Sequence, residues 1–263
     1  KEGQARHGRF CIPAFRLVQK HQPDVAIVHF GNEIPSLIAC LLCKLTGLSR
    51  TKWVWLQDQQ VNAAGRITRC LSRMRLLSFV FDHFIAVYEG GRRSLLARGL
   101  SPKRVSVLPN SVGGYTTTRQ KGWLRNEFAV SRRSVITVSV GSLIPRKRTG
   151  LLLKAFAQAY SKYPELRLFV VGQGPEKDNV MRMADDFGIP GAIHFLGARN
   201  DTRDILAEAD LFLLCSSAEA SAYAVLEAMA AGLPAVLSDA GAAREQVIDG
   251  ESGYVVGKDD TTA

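Results

Sequence analysis

The chain has 263 residues, 46% of them hydrophobic and 22% charged. This is close to the balance of soluble globular domains, about 45–50% and about 25%, and it excludes disorder and coiled coil for the bulk of the chain. The net charge of +10 is unevenly spread, with 18 Lys and Arg against 6 Asp and Glu in residues 1–120 and 16 against 18 in residues 121–263. At about 150 residues per domain the length allows one or two domains, and unequal charge fits two with different partners. A basic half suits nucleic acid, an anionic membrane surface or an acidic substrate. No uncharged apolar run reaches the roughly 18 residues of a membrane span. The chain starts at Lys1 rather than Met and has no signal peptide, so a fragment or processed product is expected.

Short apolar runs alternate with helical patterns along the chain. In the first half, Asp24–His29, Lys52–Gln57, His83–Val87 and Arg104–Leu108 read as buried strands, with helices over Ile34–Thr46, Arg66–Phe81 and Gly91–Arg98. In the second half, Val135–Gly141, Leu166–Gly172, Ala192–Leu196, Leu211–Cys215, Ala235–Ser238 and Tyr254–Val256 read as strands. Helices are expected there over Thr149–Lys162, Glu176–Phe187, Arg203–Ala209, Tyr223–Ala231 and Ala242–Ile248. Near-continuous β-branched runs mark strands buried on both faces, hence parallel sheets covered by crossover helices. The regular alternation predicts an α/β protein of two Rossmann-like, doubly wound parallel-sheet domains. The alternation breaks over residues 112–133, with Gly113-Gly114 and Thr116-Thr117-Thr118. We read this stretch as a linker and divide the chain into domains 1–120 and 121–263. The five cysteines are irregularly spaced, and Cys40-x-x-Cys43 lies in an apolar stretch, so buried thiols and a reducing, cytoplasmic setting are expected.

Four features carry chemistry. Glu219 and Glu227 are separated by seven residues, and Ala228-Met229-Ala230-Ala231-Gly232-Leu233-Pro234 follows. A helix starting near Ala222 offers free N–H groups at its N-terminus, a ready anion site. Glu227, about one turn into that helix, can accept two ribose hydroxyls; Glu219, in the preceding loop, can contact a group attached to the phosphates. By spacing alone, a solvated pair of acids in an ordinary βα unit explains the pattern equally well. Secondly, Gly141-Ser142-Leu143-Ile144-Pro145-Arg146-Lys147-Arg148 sets three cations at a βα turn, where open α/β sheets bind ligands; an exposed basic turn is the alternative. Thirdly, Gly172-Gln173-Gly174-Pro175 is not a dinucleotide fingerprint, because Lys177 stands where the third glycine is needed; it reads as a tight turn before a helix. Lastly, His194-Phe195-Leu196-Gly197 is a strand end whose backbone could face a flat base.

In this order these motifs resemble the retaining glycosyltransferases of family 4, also called group 1, of GT-B fold, over about residues 24–256. The first half adds Gln57-Asp58, where that family often has His-Asp, and Pro109-Asn110-Ser111-Val112, like its Pro-Asn-Gly-Val. The resemblance implies roles. Arg146 and Lys147 hold the donor diphosphate, with Gly141 and Ser142 beside it. The backbone near Leu196 meets the base. Glu227 binds ribose and Glu219 the donor sugar, while the N–H groups of Ala222 and Tyr223 touch the phosphates. The donor is a UDP- or GDP-linked sugar, and no other cofactor is implied. The acceptor is a glycan or lipid-linked, in cell-envelope or polysaccharide synthesis. A retaining enzyme of this kind reacts by front-side attack through an oxocarbenium-like state, and the absence of any Asp-x-Asp agrees with a metal-independent site.

The departures are specific. Ser142 stands where many relatives carry Arg, leaving Arg146 to supply that charge. Ala220-Ser221-Ala222 replaces the usual Gly-Phe-Gly after the first glutamate. The Gly-rich first turn expected before Gly8 and the helices expected after Ala263 have no counterpart, so a truncated transferase that binds donor but transfers poorly is expected. On Arg66–Leu77, Arg66, Arg69 and Arg73 share one helical face and Ile67, Leu71, Met74 and Leu77 another. This fits a helix packed on its sheet, or one resting on anionic lipid at the cytoplasmic membrane face. Aromatic residues are not interleaved with the basic ones, so nucleic acid is not expected. The competing functions are a catalytically impaired or scaffold relative that binds nucleotide sugar, and a sugar-nucleotide 2-epimerase.

Overall fold

In the computed structural model, residues 11–29, 40–43, 46, 51–57 and 78–259 are described. The chain divides into two units, Lys1–Pro109 and Asn110–Ala263. All ten expected strands form, because each is a β-branched or aromatic run that a parallel sheet can bury. In the first unit β1 (Val25–His29), β2 (Lys52–Gln57), β3 (His83–Ala86) and β4 (Val105–Val107) make a parallel sheet in the order β1-β2-β3-β4. Helices α1 (Cys11–His21) and α2 (Glu89–Ala97) belong to this unit. The sequence reading did not place α1; its Phe15 and Val18 pack on the core of Trp53, Trp55, Phe81 and Phe84. Cys40 and Cys43 are fully buried in a helical stretch, and burial pushes the Cys43 thiol up, which keeps it protonated and unreactive. The expected basic helix Arg66–Leu77 lies outside the described residues.

The second unit follows with α3 (Trp123–Glu127), β5 (Val135–Val140), α4 (Thr149–Lys162), β6 (Leu166–Val171), α5 (Lys177–Asp186) and β7 (Ile193–Gly197). It continues with α6 (Thr202–Ala207), β8 (Leu211–Leu214), α7 (Tyr223–Ala230), β9 (Ala235–Ser238), α8 (Ala243–Gln246) and β10 (Gly253–Val256). The sheet is wholly parallel, in the order β10-β9-β8-β5-β6-β7. The chain therefore winds one way from β5 to β7 and the other way from β8 to β10. One face packs Phe169, Phe212, Ile205 and Val225 among others; the opposite face packs Leu152, Leu153, Phe156 and Val180. Each such side chain, wholly buried, contributes about 1.5–3 kcal/mol over exposure. Double winding puts a switch point between β5 and β8, and the crevice beyond their carboxyl ends is where such sheets bind ligands.

The stretch expected as a linker is fastened to the second unit. Asp204, 5% exposed, accepts the N–H of Thr118 (2.6 Å), the hydroxyl of Thr118 (2.9 Å) and the N–H of Arg119 (3.0 Å). Glu208 accepts the N–H of Gly122 at 2.7 Å, and Gly122, with φ 90°, caps the short helix α3. Arg203 donates to the Gly114 carbonyl at 2.9 Å, while the Tyr115 hydroxyl donates to the Arg203 carbonyl. The two units meet at 109/110, and the stretch beyond belongs to the second, because two carboxylates and an arginine of that unit bind a segment whose Gly and Thr content reads as loop. The Arg119 and Thr118 donors hold the Asp204 carboxyl below the usual carboxylate range, and the Arg199 guanidinium does the same for Asp201. Depressed folded values mean this stabilisation is full above the unfolded value of about 3.9 and lost as pH falls through the folded values. Asp204→Ala is expected to cost at least about 2 kcal/mol in urea unfolding at pH 7, with the gap to wild type closing below about pH 4. A gap that stays constant down to pH 2 contradicts this account.

Candidate functional site

Two loops beyond the carboxyl ends of β5 and β6 are zipped together by their backbones. Gly141 N–H donates to Val171 O (2.9 Å), Leu143 N–H to Gln173 O (2.9 Å) and Glu176 N–H to Leu143 O (3.0 Å). A Cβ on Gly172, whose φ is +146°, would stand 1.8 Å from Gly141 O; one on Gly174 would stand 2.2 Å from Leu143 O. The two glycines are needed for this close approach, and they fix where residues 141–148 emerge.

That loop enters a 3₁₀ turn over Pro145–Lys147. The Lys147 side chain lies over Gly141, its Cε 3.5 Å from where a Cβ would be, and carries Nζ to 2.6 Å from Glu219 Oε1. The contact lacks the alignment of a hydrogen bond, so charge holds the pair. Arg146 places a guanidinium nitrogen 3.2 Å from Glu219 Oε2 and donates to Ala218 O at 2.7 Å. The Arg146 carbonyl accepts the N–H of Ser217 at 2.9 Å, binding the loop after β5 to the loop after β8 across the switch point. Lys147 and Glu219 are 14% and 12% exposed, Arg146 47%, so the lysine pair is the desolvated and stronger one. Arg148, third of the basic run, points elsewhere: it donates to Lys258 O at 2.7 Å and pairs with Asp259. Ser142 is exposed on the same turn.

The Glu219 loop is braced from behind. A Cβ on Gly241, at φ +60°, would stand 2.1 Å from Glu219 O and 2.4 Å from Ala220 O, and Ala242 N–H donates to Ala220 O at 2.7 Å. Asn110 donates its side-chain amide to Ser221 O at 3.1 Å, and Gln246 donates to Ser221 Oγ at 3.3 Å. Ala222 then caps α7 and is buried, while Tyr223, the first helical residue, is 57% exposed. Glu227 is half-buried and lines a polar cavity of about 740 Å³ with Thr118, Arg119, Arg199, Asp201 and Asp204. At the end of β7 the ladder pairs Val170 with Phe195 and then Val171 with Gly197, a bulge at Leu196 that re-aims the chain. His194 stacks on Phe169 at 4.7 Å and meets Phe128 edge-on at 5.2 Å; burial lowers its pKa, so it packs as a neutral core side chain.

The structure therefore brings Gly141, Arg146, Lys147 and Glu219 into one cluster, with Ala222 and Tyr223 at the helix start three residues on. Glu227 and Leu196 belong to their own surroundings, the polar cavity and the β7 bulge. Gln57 ends β2, but its side chain and Asp58 lie outside the described residues. The sequence reading missed Gly241 and Gln246, whose partners lie about twenty residues upstream; a glycine between a strand and a short helix was the available signal. A separate apolar cavity of about 600 Å³, between α4 and strands β8–β10, is lined by none of these residues.

The profile of the group 1 glycosyl transferases matches residues 124–263, and the chain belongs to this family. It is 34% identical, over 59% of its length, to the lipopolysaccharide core biosynthesis glycosyltransferase LpsE of Rhizobium meliloti, and spans only 43% of that protein. It is 32% identical, over 94% of its length, to the GDP-mannose-dependent alpha-(1-6)-phosphatidylinositol monomannoside mannosyltransferase of Mycolicibacterium smegmatis, covering 67% of it. The crystal structure of Anabaena Alr3699/HepE in complex with UDP superposes with a TM-score of 0.81 at 20% identity, over 94% of this chain and 69% of that one. The fold, two parallel-sheet α/β domains, is the GT-B fold of glycosyltransferases.

Gly241→Ala is expected to strain the backbone and push back residues 219–220, at a cost of about 1–3 kcal/mol. Thermal unfolding checks this; a melting temperature within a degree of wild type shows that the loop yields freely.

Proposed function

We propose that this protein is a retaining, metal-independent glycosyltransferase of family 4, moving a sugar from a UDP- or GDP-linked donor to a glycan or lipid-linked acceptor. The observation that carries the reading is the convergence of Lys147, Arg146 and Glu219 at the switch point of the second sheet, three residues before a helix N-terminus. Diphosphate needs fixed cations and oriented N–H groups, and both are there. Glu227, half-buried beside a polar cavity, suits ribose; the bulge at Leu196 suits a base. The names of LpsE and the mannosyltransferase support a cell-envelope setting and a lipid-linked acceptor; a cytoplasmic location is part of the proposal. No helix among the described residues is long and apolar enough to cross a membrane. Contact with anionic lipid would fall to the basic first unit, as would acceptor binding.

The geometry adds an exchange step to this reading. Glu219 neutralises the same two cations that the donor diphosphate requires. As phosphate oxygens engage Lys147 and Arg146, the carboxylate is released toward the sugar. The bond from anomeric carbon to phosphate oxygen then breaks while the acceptor hydroxyl attacks the same face, its proton passing to the departing phosphate oxygen. Charge moves onto the leaving diphosphate, and Lys147 with the α7 N–H groups stabilises it more in the transition state than before it.

Glu219→Gln keeps the shape and removes the competing charge. Free UDP or GDP is expected to bind about tenfold more tightly by calorimetry, worth ~1.4 kcal/mol, while transfer falls. Weaker nucleotide binding in this variant refutes the exchange. Glu227→Ala should weaken free nucleotide about ten- to hundredfold, from the loss of ~1.5–3 kcal/mol; unchanged affinity removes Glu227 from the ribose role. Lys147→Ala should lower kcat more than it raises KM for donor, and chelator should leave transfer intact. A raised KM with kcat unchanged points to uniform binding, and loss of transfer with chelator rules out the metal-independent reading.

A further inference from the structure

We propose that Ser216 positions Glu219 through a single buried water held between them; the inference rests on the reading of Glu219 as the donor-sugar contact. Ser216 follows β8 and is 1% exposed. Its carbonyl accepts the hydroxyl of buried Ser238 at 2.6 Å, so its backbone is fixed from the neighbouring strand. Its own hydroxyl is buried without a hydrogen-bond partner among the described residues. Buried hydroxyls left unpaired are rare, and an ordered water is the usual remedy. Glu219 Oε1 is the second buried oxygen here without a hydrogen bond; its contact with Lys147 is one of charge, and a carboxylate oxygen has lone pairs to spare.

Ser216 and Glu219 wall the same small cavity of about 10 Å³, whose other polar residues are Ser238 and Gln246. One water centre needs roughly 10–15 Å³ and two to four polar partners, so this space takes one water and not two. Leu214, Ala222, Val225 and Leu237 close the apolar side. The role follows from the exchange described above. Once a diphosphate takes Lys147, Glu219 loses its cation, and the water on Ser216 is the neutral partner that remains to aim its carboxylate. Ser216 is thus a positioning residue, acting through Glu219.

The test pairs a structure with kinetics. A high-resolution crystal structure of the chain should show one density peak within hydrogen-bond distance of both Ser216 Oγ and a Glu219 oxygen; an empty cavity overturns the proposal. Ser216→Ala should lower kcat about tenfold, with KM for donor and affinity for free nucleotide within twofold of wild type. Wild-type kcat in Ser216→Ala at an unchanged melting temperature also overturns it. Should the peak be present while the chain binds neither UDP nor GDP, the water site stands and the transferase reading falls, which separates the two.

Discussion

One carboxylate set between two cations organises the carboxyl edge of the second sheet. Glu219 lies 2.6 Å from Lys147 and 3.2 Å from Arg146, and almost every unusual local feature nearby serves to hold those three groups in place. Gly172 and Gly174 let one backbone rest on another, so that the basic loop emerges at the correct height. Gly241 does the same behind the acidic loop, and Asn110 and Gln246 tie down Ser221. A pair this buried loses hydration on both sides. Separating it by removing one partner is costly, whereas exchanging one anion for another is not. On the proposed reading, that asymmetry would favour an anion able to replace a carboxylate at two cations at once.

The strands were legible in the sequence because a parallel sheet buried on both faces demands short, nearly continuous apolar runs. Arg146, Lys147 and Glu219 were legible as charges at βα turns, but only the resemblance to a family joined them; periodicity does not show that residues more than seventy positions apart meet. The same holds for the brace. Gly241 reads as an ordinary turn glycine until Glu219 O is found where its Cβ would be. Residues 112–133 misled for a related reason. Their Gly and Thr content describes a flexible loop, yet Asp204 binds two N–H groups and a hydroxyl within it. Composition reports what a segment does alone, not what a distant carboxylate does to it. His194 shows the converse: beside a presumed base site, it packs between two phenylalanines.

Charge is divided between the units in keeping with the proposed chemistry. The first carries the positive excess, whereas the second is near neutral overall and sets three consecutive cations, Arg146 to Arg148, at one turn. A diffuse positive field attracts anionic surfaces, and salt screens it within about 10 Å. A desolvated Lys–Glu pair is screened far less. Binding of donor to the second unit should therefore depend weakly on ionic strength, and any attraction of the first unit to anionic lipid strongly.

The most direct measurement is a crystal structure of the chain with UDP or GDP bound. The account places the phosphates within hydrogen-bond distance of Lys147 Nζ and Arg146, beside the first N–H groups of α7, with Glu219 moved off the lysine. Phosphates bound anywhere else, or bound there with the 2.6 Å Lys147–Glu219 contact intact, would contradict it.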